Sequence, residues 1–259
     1  AYALLEEIGE TEAIQSSKYD RAMEQIDAGE YEAAYKLLDG LEYKDSAEKQ
    51  KSIWPQYNRL LLERARVGDT IIFGAYEQDN DKFNGKEDIE WLVLAKKDNR
   101  LLVISQYGLD YQEYNAKFED VTWESCTLRK WLNGAFLNTA FSNEEKTVIP
   151  TVIVLADINP NYSTNPGSTT EDNVFLLSIT EVRRYFKTDE TRMCVPTAYA
   201  KANNAYLADS ATCIWWLRSP GRSQRGVACV DYDGGVGSDS YAVHGGAYVR
   251  PAMWISLED

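Results

Sequence analysis

Ile214-Trp215-Trp216-Leu217-Arg218-Ser219-Pro220-Gly221 and Tyr248-Val249-Arg250-Pro251-Ala252-Met253-Trp254-Ile255 are the stretches whose reading decides the fold. Each is an apolar, aromatic run carrying one Arg, and each meets a Pro that the interior of a central strand does not tolerate. Between them, residues 222–247 are rich in Gly, Ser, Asp and Tyr, interrupted by the apolar run Val227-Ala228-Cys229-Val230. That run reads as one strand flanked by polar turns. Asp231-Tyr232-Asp233-Gly234-Gly235, with Asp239 beyond it, reads as a hairpin turn rather than a calcium loop, because the Gly is out of register for one. Two stiff frames around a polar insert suit a binding face better than a catalytic centre.

N-terminal to the frames, the hydrophobic period changes once. From Lys18 to Arg66 it is helical: Tyr19, Ala22, Met23 and Ile26 recur at three- and four-residue spacing, then Tyr31, Ala34, Tyr35 and Leu38, with stops at Gly29 and Gly40. Asp45 or Ser46 caps the next helix, in which Pro55 predicts a kink or a break. At Val67-Gly68-Asp69 the period drops to two. Thr70–Tyr76, Glu90–Ala95 and Arg100–Ser105 then read as an antiparallel meander. Asp79, Asp81 and Asn84-Gly85 lack the ligand spacing of a calcium loop and read as an acidic hairpin tip. Thr122–Asn133 and Ile179–Phe186 read as helices capped by Thr122 and Thr180, and Val152–Leu155 as a strand. Residues 159–173 read as a long loop. The fold class is therefore α+β, with a helical segment over residues 1–66 and an α+β domain over residues 67–259.

The bulk properties exclude several functions. The 259 residues are 44% hydrophobic and 12% aromatic, ample for a core, and the formal charge is −14. A nucleic-acid partner is not expected, since a binder needs a basic stripe to displace phosphate counterions. No apolar stretch reaches the roughly 18 residues of a spanning helix, so membrane insertion is not expected either. Ala1-Tyr2-Ala3-Leu4 has no basic n-region and no initiator Met; it reads as a processed or trimmed end rather than a signal peptide. Cys126, Cys194, Cys213 and Cys229 form no metal-ligand spacing, and His244 is the only histidine. No metal, cofactor or catalytic triad is expected, and the cysteines read as buried free thiols. Arg218 and Arg250 either clamp an anion or pair, half-buried, with carboxylates such as Glu90 or Glu124.

Several blocks add a resemblance: Ile72–Tyr76, Ile89–Leu94, Trp123–Asn133, Phe175–Ser178, Trp215–Gly221 and Val249–Ile255, in that order. Together they resemble a bacterial domain family of unassigned function with a C-type-lectin-like fold, related in architecture to the formylglycine-generating enzymes. The same blocks are similar to the variable proteins of diversity-generating retroelements. Ala28–Ala34 followed by Leu41–Lys49 resembles a tetratricopeptide-like helical hairpin. The resemblance implies that Trp215, Trp216, Arg218 and Arg250 are scaffold. It implies a ligand-binding surface made of Arg222, Ser223, Gln224 and Arg225, then Tyr232 and Asp233, then Asp239, Ser240, Tyr241 and His244. The expected partner is a protein or glycan, the expected activity is non-catalytic, and display at the cell surface or outside the cell is the expected setting. Tyr supplies contact area at low entropic cost, with Ser, Gly and Asp adaptable around it. Two alternatives stay open: a thiol-dependent copper oxidase, with Cys213 and Cys229 as the nearest candidate pair, and a structural spacer.

Overall fold

The helical period of the N-terminal segment folds as α1 (Tyr2–Asp27), α2 (Tyr31–Leu38) and α3 (Ser46–Arg64). The computed structural model describes residues 2–203 and 211–258, with the backbone alone for residues 2–10 and Ser240. The chain divides into two compact units, Ala1–Ala65 and Arg66–Asp259. In the first, Tyr19, Ala22, Ala34, Leu38 and Ile53 are buried together, with Met23, Ile26 and Tyr35 packed on them. These are the positions that helical spacing puts on one stripe. Pro55 lies inside α3 without breaking it. It removes one intrahelical bond, but Tyr35 stacks on Tyr57 at 4.6 Å and packs on Trp54 at 5.5 Å, so tertiary contacts hold the helix on either side. Asp45 occupies the cap position of α3 but makes no side-chain cap bond, its carboxylate instead accepting from the Tyr19 hydroxyl.

The second unit is α+β. Its meander is as the alternation predicts: β1 (Thr70–Tyr76), β2 (Glu87–Lys97) and β3 (Arg100–Ser105) pair antiparallel in sequence order. After β4 (Asp110–Glu113) come α4 (Thr127–Trp131), a π-turn over Leu132–Phe136, α5 (Leu137–Ala140) and α6 (Asn143–Thr147). Short strands β5 (Val152–Val154), β6 (Thr170–Asp172) and β7 (Val174–Phe175) follow, then helices α7 (Ile179–Tyr185), α8 (Asp189–Arg192) and α9 (Ala198–Ala202). The C-terminal strands are β8 (Trp215–Pro220), β9 (Gly226–Val230), β10 (Val236–Ala242), β11 (Gly246–Val249) and β12 (Ala252–Ser256). They assemble one five-stranded sheet in the order β1-β2-β3-β12-β7, a second in the order β10-β9-β8-β11-β4, and the small pair β5-β6. All neighbours are antiparallel except β11 and β8.

The two Pro-interrupted frames explain how the sheets connect. β11 belongs to the second sheet and β12 to the first, and only Arg250-Pro251 separates them. Their antiparallel partners change sheet at the same level, β3 pairing with β12 and β4 with β11. Pro251, with no N–H to donate, sits at the bend, and its carbonyl accepts from Ser105 N at 2.9 Å. In β8 every residue is buried, which is why it reads as a continuous apolar run rather than an alternating one. Pro220 closes β8 just beyond a register shift.

Three local expectations are corrected. α4 is capped by Cys126, whose sulfur accepts from Arg129 N at 3.4 Å, and not by Thr122, which lies in the preceding turn. The cap of α7 is Ser178, in a reciprocal capping box with Glu181, and not Thr180. Residues 236–242, read as polar loop, form β10, because an edge strand needs only one ladder and tolerates Gly and Ser on its outer side. None of the helices among the described residues is long and apolar enough to cross a membrane.

Candidate functional site

A cleft of about 780 Å³ opens where β4, β10 and the β10–β11 turn converge. Tyr111, Gln112 and Glu113 of β4 line one side; Tyr241 of β10 and His244 of the turn line the other. Antiparallel pairing sets the first wall, since Gly246 lies opposite Glu113 and Tyr248 opposite Tyr111. Gly246 leaves room for the Tyr111 ring: a Cβ at that position would fall 2.3 Å from its Cε1. The Tyr111 ring in turn meets the buried Tyr248 ring edge-on, with centroids 5.2 Å apart. Turn geometry sets the second wall, Gly245 N donating to Ala242 O at 2.8 Å and so projecting His244 outward.

Trp216 is the rigid post behind this cleft. It is fully buried, and its indole N–H donates to Gln112 O at 2.9 Å, tying β8 to β4. The rings of Tyr241 and Tyr114 both meet it edge-on, at 5.7 and 5.8 Å. Tyr241 is thereby held half-buried, and burial pushes its hydroxyl pKa up. On the rim, Phe118 is 55% exposed, packs on His244 at 4.6 Å and carries the Arg225 guanidinium at 5.5 Å from its ring. Arg225 also pairs with Asp120 at 3.1 Å, an exposed ion pair of little net stability.

The residues expected to bind ligand do not form one surface. Tyr241 and His244 come together in the main cleft, and Tyr241 and Asp239 border a second depression of about 340 Å³ floored by Gly237 and Cys229. Asp239, Ser240 and Tyr241 lie on strand β10 rather than in a loop, and the Ser240 side chain lies outside the described residues. Arg222, Ser223, Gln224 and Arg225 make the β8–β9 connection, where Arg222 N donates to Asp239 O and Gln224 Nε2 to Asn165 O at 3.2 Å. Tyr232, 61% exposed, and Asp233 stand on the β9–β10 hairpin, whose turn closes through Gly234 N donating to Asp231 O at 2.9 Å. Tyr111, Gln112, Glu113 and Phe118 were not singled out from the sequence. The alternation of β4 finds Tyr111 and Glu113 by putting them on one face; Phe118, beyond β4, is placed by the tertiary structure alone.

The scaffold arginines are more buried than expected and have other partners. Arg218 is 5% exposed and pairs with both oxygens of Glu181, not with Glu90 or Glu124, while also donating to Leu176 O at 2.8 Å. Arg250 is 2% exposed and donates to Ser105 O at 2.6 Å between the Phe186 and Trp215 rings. Its neighbours are thiols, so the expected carboxylate pairing is not the one made. The Cys213 thiol lies against Cys194, and Cys229 against Asp231, so the pairing of Cys213 with Cys229 is also corrected. At the acidic β1–β2 tip, Glu77, Asp79 and Glu87 bring carboxylate oxygens within 4.8 Å of one another, a donor set of the kind a hard cation takes.

Residues 98–257, more than half of the chain and including every wall of the cleft, match a defined sequence family. The chain belongs to the DUF6273 family. DUF6273 is a domain of unknown function, and the match begins inside the β2–β3 hairpin and ends just after β12. No curated protein and no solved structure matches the chain. The DUF6273 region therefore takes in the whole second sheet, Trp216 and both cleft walls.

Proposed function

We propose that this chain is a non-catalytic recognition protein that captures a protein or glycan ligand at the cleft between β4 and β10. The observation that carries the reading is the pairing of Tyr241 and His244 with Tyr111 across a cleft backed by the buried Trp216. Ring faces, an amide, a carboxylate and a hydroxyl on a rigid support make a surface that binds without reorganising. Short antiparallel strands that change sheet at one bend fit a C-type-lectin-like architecture. Arg222–Arg225, Tyr232, Asp233 and Asp239 lie outside the cleft lining, so capture is assigned to Tyr241 and His244 with the β4 side chains. The N-terminal helices fit a tetratricopeptide-like spacer, and display at the cell surface or outside the cell suits such a protein.

Protein and glycan arrays probed with the full chain test this. The expected result is a ligand whose capture is lost in Tyr241→Ala and His244→Ala, with the melting temperature of His244→Ala unchanged. Capture that survives both substitutions, or arrays without a hit, would overturn the reading.

A further inference from the structure

Cys194 follows α8, Cys213 precedes β8, and Cys213 N donates to Cys194 O at 2.8 Å, so the backbone sets the two residues side by side. The Cys194 sulfur also faces the carbonyls of Val195 and Gln106, at 3.6 and 4.0 Å. Both cysteines are free and buried, at 1% and 2% exposure. Met193 and Val195, on either side of Cys194, are 40% and 46% exposed, and a Cβ at Gly108 would lie 3.4 Å from the Cys213 sulfur.

The third member of the cluster is Arg250. Its guanidinium is buried, its Nη1 has no hydrogen-bond partner, and the titratable groups acting on it are Cys194 and Cys213. A buried cation favours a nearby negative charge, and Cys194 and Cys213 are the ionisable groups beside it. The neighbouring Cys213 thiol, and then the guanidinium, hold Cys194 below the ordinary thiol range, while Cys213 is pushed up by Cys194 and by burial. The other cysteines lie differently. Burial pushes Cys126 up to about 12 at the α4 cap, and burial beside Asp231 pushes Cys229 up.

We propose that Cys194 and Cys213 are a reversible dithiol–disulfide pair, oxidised by small hydroperoxides and reduced by dithiols. The Cys194 thiolate attacks one peroxide oxygen and the O–O bond breaks, leaving a sulfenic acid; the departing oxygen takes a proton and leaves as water or an alcohol. The Cys213 sulfur then attacks the Cys194 sulfur, the S–O bond breaks, and the Cys213 proton leaves with the hydroxyl as water. Two thiols are oxidised and one peroxide is reduced; thiol–disulfide exchange with a dithiol reverses the result. The disulfide closes the stretch that carries α9, which packs on β4, whether or not the neighbouring cleft takes a ligand.

The test treats the full folded chain with one equivalent of hydrogen peroxide, alkylates the remaining thiols and maps the peptides by mass spectrometry. A Cys194–Cys213 disulfide within one chain is expected, reversed by dithiothreitol, with Cys126 and Cys229 recovered as thiols. In Cys213→Ser the oxidation stops at the sulfenic acid, so dimedone labels Cys194 in the variant and not in the wild type. A disulfide joining another pair or two chains, or native Cys194 that neither forms the disulfide nor labels in the variant, would overturn the proposal.

Discussion

Arg218 is almost wholly withdrawn from water, and among the described residues its carboxylate partner is Glu181, through both oxygens. Glu181→Ala leaves the guanidinium with backbone carbonyls alone and is expected to cost about 3 kcal/mol, read as a lower urea midpoint at unchanged slope. Two glycines separate cleft shape from fold. A Cβ at Gly246 meets the mobile end of the Tyr111 ring, so Gly246→Ala is expected to cost only about 1 kcal/mol while moving that ring, visible as changed aromatic shifts in the NMR spectrum. Gly234 has φ +84°, and a Cβ there would lie 1.8 Å from the Asp189 carbonyl oxygen, which is backbone that cannot step aside. Gly234→Ala is therefore expected to cost about 3 kcal/mol by the same urea measurement. The value of Gly234-Gly235 as a turn signal was legible in the sequence. The close approach of α8 was not, because it depends on a segment distant along the chain.

At the scale of elements, α2 and α3 are joined by Glu32, which accepts from Lys36 at 2.6 Å and Arg64 at 2.5 Å. The Lys36 hydrogen bond, then that of Arg64, lowers the Glu32 pKa from 4.5 to about 2. A carboxylate lowered on folding contributes stability that is present above the unfolded value and lost as pH falls through the folded one. Helix content of the N-terminal unit is thus expected to weaken between about pH 4.5 and pH 2, and Glu32→Gln to remove that component from the circular-dichroism titration. β10 shows what periodicity misses. Its residues Val236-Gly237-Ser238-Asp239-Ser240-Tyr241-Ala242 have a loop composition, and the register shift between Gly237 and Tyr241 blurs any alternation. It is a strand because β9 offers it a ladder. By contrast β1, an edge strand with one face buried, and β3, central in its sheet, carry their pattern openly, and the sequence reading and the structure agree on their bounds.

For the whole molecule, three buried tryptophans of the second unit find their acceptors within it: Trp91 donates to Phe73 O at 2.7 Å, Trp215 to Arg192 O at 3.1 Å and Trp216 to Gln112 O. A fragment of residues 66–259 is expected to fold alone, with amide protection of β3, β8 and β12 equal to that in the full chain. Loss of that protection would show that the core needs the helical unit.

Periodicity, the Gly and Pro positions and the aromatic Arg-bearing frames determined by themselves where helix gives way to strand, which segments are buried, and that the class is α+β. Those properties depend on residues near one another in the chain. Only the tertiary structure decided that β4 meets β10 to make a cleft, that Arg218 takes Glu181, and that Arg250 faces Cys194 and Cys213. Each of those pairings joins segments remote in sequence, and the register of the sheets, not local composition, selects which side chains meet.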